Sequence, residues 1–390
     1  MIYRARFKEE LVDPEEFLAL SAEMNYQLSA RNLNERALLA LIMGPRLHDQ
    51  DTEPLLEALQ VLLIGYEDIF RKLGPKAILH PLRTTALLAR VMPEPTVLDL
   101  LCALLHDKEE DLHEKKLGPE RFARMQERYS KLQAQINRDQ RWFLGERLGL
   151  LTNQKGESYN HYIGRILDRA KVMPDLLHVK IADRLDNSLD VTVARPGVLR
   201  YNLFQSIFSA LFLPSYHGVR IEEYHFLPHQ RDGVQILGNL FKNILFLSLL
   251  RKAGLENVDR TTAMLSEALC LASSQVGQWL VLEVFASCIT EADDQRQLLE
   301  EVREYCSNGG IEAIRDDNNP SPLDGIFLKT YGLTKEGRSA RLANLWEDKI
   351  EVARVVLVFI AVFTSFHLDP TFYVKGIEQE RVFAVEEDTD

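Results

Sequence analysis

The chain is predicted to be all-α, on three observations. Apolar residues recur at steps of three and four, strict alternation is scarce, and acids with proline stand ahead of the periodic runs. In chain order, Asp13-Pro14-Glu15-Glu16 places proline and acids where a helix start prefers them, so PEEFLALSAEMNYQL at 14–28 reads as the first helix. Asp51-Thr52-Glu53-Pro54 predicts a second start, leading into EPLLEALQVLLIGYEDIF at 53–70. ILHPLRTTALLARV at 78–91, TVLDLLCALLHD at 96–107, HVKIADRLDNSLD at 178–190 and RQLLEEVREYC at 296–306 continue the helical pattern. VVLVFIAVF at 355–363 falls short of the ~20 apolar residues that cross a bilayer and reads as a buried helix, so no membrane partner is expected.

Breaks are expected at Gly74-Pro75, Pro93-Glu94-Pro95, Gly118-Pro119, Pro196-Gly197, Pro214, Pro228 and the polar run 308–325, with a frayed acidic tail at 385–390. A chain of 390 residues holds two or three cores at ~150 residues each. The reading is an N-terminal helical extension at 1–54, a core at 55–197 and a C-terminal helical domain at 198–390, which offers a surface for self-association. A net charge of −12 and a pI near 5.4 disfavour a nucleic-acid polymer as partner, while leaving room for a small anion beside local basic residues. Cys102, Cys270, Cys288 and Cys306 form no Cys-x-x-Cys pair, and the charged start resembles no signal segment. Buried free thiols in a reducing cytoplasm are expected.

The densest chemistry is ALLHDKEED at 103–111, where His106-Asp107 precedes Glu110-Asp111. If the helix runs on, positions four apart share a face, so His106 lies beside Glu110 and Asp107 beside Asp111. An apolar LLCALL run leading into His-Asp, and KIA leading into Asp183, imply that charges emerge from buried helices, where metal is a natural compensation. His80 upstream and Asp183 downstream supply a further imidazole and carboxylate. Mixed imidazole and carboxylate donors suit Mn²⁺, Fe²⁺ or Zn²⁺. No ligand spacing is evident in the His217, His225 and His229 cluster.

His-Pro-Leu at 80–82, His-Asp-x-x-Glu-Asp at 106–111 and Val-Lys-Ile-Ala-Asp-Arg-Leu-x-Asn at 179–187 occur in that order. Together they resemble the HD phosphohydrolase superfamily, and most closely the hydrolase domain of the RelA/SpoT alarmone enzymes, over roughly 55–195. The resemblance implies a helical HD core with one metal, Mn²⁺ by preference, held by His80, His106, Asp107 and Asp183. It makes Glu110 or Asp111 the catalytic group that orients the attacking water and takes its proton. Arg71 and Lys72, Tyr159 and Arg165 occupy segments from which the family draws substrate contacts, and Asn187, four residues after Asp183, faces the same way. Lys180 is either solvated or a phosphate contact, and Arg184 an internal ion pair. The implied activity is hydrolysis of a nucleotide such as (p)ppGpp, releasing the 3′-pyrophosphate.

Three departures from that pattern stand out. Lys108 and Glu109 replace small or apolar residues, Leu-Asp-Asn at 185–187 replaces Leu-His-Asn, and nothing after 198 resembles a synthetase or regulatory domain. Two alternatives accompany the hydrolase reading: another HD nucleotidase, and a non-catalytic sensor or scaffold whose C-terminal helices meet a partner. HD-type cyclic-dinucleotide phosphodiesterases lack support, since His-Asp-Ile-Gly-Lys and a later Gly-Tyr-Pro are absent.

Overall fold

The computed structural model describes residues 13–43, 49–71, 76–193, 233–313 and 344–374. Pro196-Gly197, Pro214, Pro228, Gly74-Pro75, Lys72, the three histidines at 217–229, most of 308–325 and the acidic tail lie outside them. The described chain is α-helical throughout, with one isolated bridge between Phe70 and Lys76 as its extended pairing. It falls into two compact units, one of 1–189 with 257–268, the other of 190–256 with 269–390.

The first unit begins with α1 (Pro14–Ser29), whose start is capped as expected, the backbone N–H of Glu16 donating to Asp13 Oδ1 at 3.4 Å. Helix α2 (Glu35–Met43) follows, then α3 (Asp49–Gly65). The sequence places that start beside Pro54, but the helix begins upstream and carries Pro54 inside it, in the second turn. Proline there removes a single backbone bond close to the start of the helix. Arg121 closes the other end of α3, donating from Nε to Ile64 O at 2.7 Å and from Nη2 to Gly65 O at 2.9 Å.

Helix α4 (Leu79–Val91) is the axis of this unit, buried at every position but Arg90, with α1, α2 and α5 (Val97–Leu105) packed round it. Helix α5 starts with a reciprocal cap: Thr96 Oγ1 accepts from Asp99 N at 3.3 Å, and Asp99 Oδ2 accepts from Thr96 N at 2.9 Å. Leu100–Leu105 are all buried, which drives the apolar run inward as its composition demands. Five short or medium helices follow: α6 (Lys108–Asp111), α7 (Glu114–Leu117), α8 (Pro119–Gln135), α9 (Arg138–Leu151) and α10 (Tyr159–Ala170). Gly118, with φ of 78°, makes the turn before Pro119, a backbone that side chains rarely adopt. The last long helix of this unit is α11 (Asp175–Val193).

Helices α4 and α11 both carry polar groups in positions shut off from water, among them His80, Arg83, Thr84 and Thr85 on one, and His178, Asp183, Arg184, Asp186 and Ser188 on the other. Buried polar groups are costly unless paired, and the pairs of His80 and Arg83 with Asp186, and of His80 with Asp183, join the two helices.

The second unit holds α12 (Gly233–Lys252), the greater part of α13 (Arg260–Cys288), α14 (Ala292–Ser307), the short α15 (Gly310–Ala313) and α16 (Lys349–Leu368). Phe241 of α12 packs edge-on against Phe359 of α16 at 4.9 Å, and Gly277 of α13 leaves room for Val356 and Ile360. VVLVFIAVF lies within α16 and is buried, as its composition predicts. Helices α13 and α16 are long and apolar enough to cross a membrane, but 78% and 72% of their most apolar windows are covered by the protein itself. Cys102 and Cys270 are buried free thiols; Cys306 is partly buried, and Cys288, expected inside, is exposed near the end of α13.

Candidate metal centre

The expected continuous helix through HDKEED does not form. Helix α5 ends at Leu105, His106 keeps helical angles, and Asp107 (φ −93°, ψ 2°) departs from them before α6 begins. Asp111 N still donates to Asp107 O at 2.8 Å, so the break is a local re-aiming rather than a loop. Its effect is to set His106 and Asp107 at a corner directed toward α4 and α11.

Four side chains meet at that corner. His80 Nε2 lies 3.2 Å from Asp107 Oδ2, 3.2 Å from Asp183 Oδ1 and 3.3 Å from His106 Nε2. His106 Nε2 lies 3.3 Å from Asp107 Oδ1 and 3.9 Å from Asp183 Oδ1. The other ring nitrogens face acceptors: His106 Nδ1 meets Ala103 O at 2.8 Å, and His80 Nδ1 meets Asp186 Oδ2 at 2.6 Å. A proton on each Nδ1 turns both Nε2 lone pairs toward one point, an arrangement that repels unless a proton or a cation lies between them.

His80, His106 and Asp183 each offer one donor atom that could share a metal ion, and Asp107 approaches the two imidazoles through different oxygens. Donors about 2.1 Å from a shared metal stand roughly 3.0–3.4 Å apart, and most of the observed separations are of this size. His80, His106 and Asp183 are buried together, and Asp107 is the partly open member.

The electrostatics agree. Burial opposes charge on all four, and Arg71 also opposes protonation of His80, yet Asp107, Asp183 and Asp186 hold that imidazole well above its usual range. His106 is likewise raised against its burial, chiefly by Asp107. Despite burial, Asp107 is held down by His106 and His80, and Asp183 by Lys180 and the same imidazoles.

The acidic pair divides. Glu110 accepts from the backbone N–H of Asn153, and desolvation raises its carboxyl, with Asp107 and Asp183 adding to the rise. Asp111 instead accepts from Tyr66 Oη at 3.0 Å and from Lys116 Nζ at 2.9 Å. Lys108 is buried with its ammonium 4.1 Å from the Tyr129 ring centre, so a residue foreign to the motif serves as packing.

Asn187 donates to Asp183 Oδ1 at 2.7 Å and accepts from Arg71 Nη2 at 2.6 Å, bringing both predicted contacts to the edge of the cluster. Lys180, expected in solvent or on a phosphate, is only 11% exposed and donates to Asp183 Oδ2 at 2.7 Å. Tyr159 lies near this lysine and packs edge-on against Tyr162. Arg165 is committed to Glu157 and the carbonyls of Leu150 and Thr152, where it ties up the loop before α10. Arg184 is buried, His113 and His161 are exposed, and His178 Nε2 pairs with Asp259 Oδ2 at 2.9 Å away from the cluster.

Asp186, which the sequence marks only as a departure, stands directly behind the cluster. It is fully buried, pairs with His80 and receives Arg83 Nε at 2.8 Å and Nη2 at 3.1 Å. These cations hold its carboxyl at about 2 despite burial. The available signal was spacing, since Asp186 is one turn from Asp183, as Arg83 is from His80.

No protein-family model, no curated protein and no solved structure matches this chain.

Proposed function

We propose that the chain is a metal-dependent phosphohydrolase acting on a nucleotide such as (p)ppGpp in the cytoplasm. The observation that carries this reading is the convergence of His80 Nε2, His106 Nε2, Asp107 and Asp183, with both Nδ1 atoms facing acceptors. The resemblance of the three motifs to alarmone hydrolases supplies the reaction class.

These four side chains hold the ion, and Mn²⁺ suits two imidazoles with two carboxylates. When bound, it supplies an acidified water and a Lewis acid for a phosphoryl oxygen. Glu110 takes the proton of the attacking water, because desolvation, Asp107 and Asp183 raise its carboxyl against the pull of Lys180, and among the described residues it accepts its hydrogen bond from the backbone of Asn153. Asp111, held by Tyr66 and Lys116, keeps α6 in place. Arg71 and Asn187 at the edge of the cluster bind the substrate's phosphates.

The test uses metal-stripped protein resupplied with Mn²⁺, guanosine tetraphosphate and a panel of nucleotides, with separate detection of pyrophosphate and phosphate. Pyrophosphate release from the alarmone that is lost in Asp107→Ala is expected. Phosphate release from another nucleotide would overturn the alarmone assignment and leave a hydrolase. Silence across the panel would overturn the enzyme and favour a nucleotide sensor.

A further inference from the structure

We infer that Asp186, clamped by Arg83, is a positioning residue that orients His80 and strengthens it as a metal ligand. The inference rests on the metal reading above and assigns a role to two residues outside the ligand set.

The two imidazoles are held differently. His106 turns Nδ1 to a neutral acceptor, the carbonyl of Ala103 in its own helix. His80 turns Nδ1 to a carboxylate from another helix, at 2.6 Å. A carboxylate behind an imidazole fixes which nitrogen carries the proton, fixes the plane of the ring and raises the basicity of the opposite nitrogen. That opposite nitrogen is the Nε2 that faces Asp107, Asp183 and His106.

Asp186 is itself held from behind. Arg83 binds both of its oxygens, and Arg71 Nη1 approaches Oδ2 at 3.5 Å. A two-point guanidinium contact fixes direction as well as charge. Arg83 is 1% exposed and lies 4.9 Å from the centre of the Phe17 ring, so α1 closes the back of this array. A buried Arg–Asp pair used only for stability needs no third partner. Here the shortest of the carboxylate's contacts is the one to His80, whose other face points into the cluster.

The experiment is calorimetric titration of Mn²⁺ into the full chain, wild type against Asp186→Asn, with circular dichroism and thermal melts to establish folding. A 10- to 100-fold weaker dissociation constant is expected, the range typical of losing such a partner. In a His80→Ala background, Asp186→Asn should produce no further weakening, since its effect passes through that ring. Arg83→Lys, which keeps a cation but loses the two-point contact, should weaken binding several-fold and serves if Asp186→Asn does not fold. The visible spectrum of the Co²⁺-loaded protein should shift in Asp186→Asn and stay as wild type in a distant surface variant such as Lys131→Gln. Unchanged Mn²⁺ affinity in a folded Asp186→Asn or Arg83→Lys, or an undiminished loss in the His80→Ala background, overturns the inference. Failure of the wild type to bind any divalent ion overturns the metal reading instead.

Discussion

His80 Nε2 and His106 Nε2 face each other at 3.3 Å. Both imidazoles have raised proton affinity in the metal-free protein, the carboxylates around them outweighing burial. A bound ion needs both rings neutral, so binding must release protons. Mn²⁺ affinity is therefore expected to climb as pH rises through neutrality and to level off above the raised values. Titrations in buffers of different protonation enthalpy check this, and a pH-independent affinity between pH 6 and 8 contradicts it. The same shifts act on folding with the opposite sign. Stability from the charged imidazoles is fully present below the unfolded value of about 6.5 and disappears as pH rises through their folded values.

Glu110 and Asp111 are neighbours in sequence with different surroundings. Glu110→Gln is expected to lower kcat by roughly 10²- to 10⁴-fold, the usual contribution of a positioned proton acceptor, while Mn²⁺ affinity changes little. Asp111→Asn should cost less in kcat and show mainly as lower stability. Comparable kcat losses in both variants would show that the pair acts jointly.

The clustering of His80, His106, Asp107 and Asp183 was legible because histidine and aspartate at the ends of apolar runs are informative: LLCALL and KIA could hardly lead into charge without a partner for it. The all-α class was legible for a similar reason, since the runs that repeat at helical spacing also carry the buried residues. Asp186 was not legible, because its role depends on α4 meeting α11, and spacing within one helix does not say which helix lies opposite. The division between Glu110 and Asp111 was hidden because the backbone turns at Asp107, and a helical reading of HDKEED assumes that it does not. Lys180 was read as solvated or on a phosphate, and the burial of Lys108 went unread, because charge alone does not reveal a carboxylate or an aromatic ring waiting inside.

Thr96 and Asp99 form the reciprocal cap of the helix that delivers His106. Thr96→Ala leaves backbone donors of the first turn without a partner and should reduce unfolding free energy by about 1 kcal/mol. Urea denaturation followed by circular dichroism reads this directly. Because the cap is a full helix away from the cluster, Mn²⁺ affinity at a temperature where the variant is folded should match that of the wild type.

Asp259 caps the start of α13, accepting from Thr262 N at 2.8 Å, and pairs with His178 of α11. Its carboxyl is held below the usual range: burial opposes this, while the Thr262 bonds and His178 outweigh it. A carboxyl lowered by folding stabilises the protein above its unfolded value of about 3.9 and loses that contribution as pH falls through its folded value. Asp259→Ala should therefore cost about 1 kcal/mol at neutral pH, as the loss of a cap and no more, since the group is partly open to water. As pH falls below the unfolded value and through the folded one the two proteins should converge in stability, because the wild type is then losing by protonation what the variant lacks already. Denaturant midpoints at pH 7, 5, 4 and 3 decide it, and a constant gap across that range would mean that Asp259 stabilises α13 without its charge.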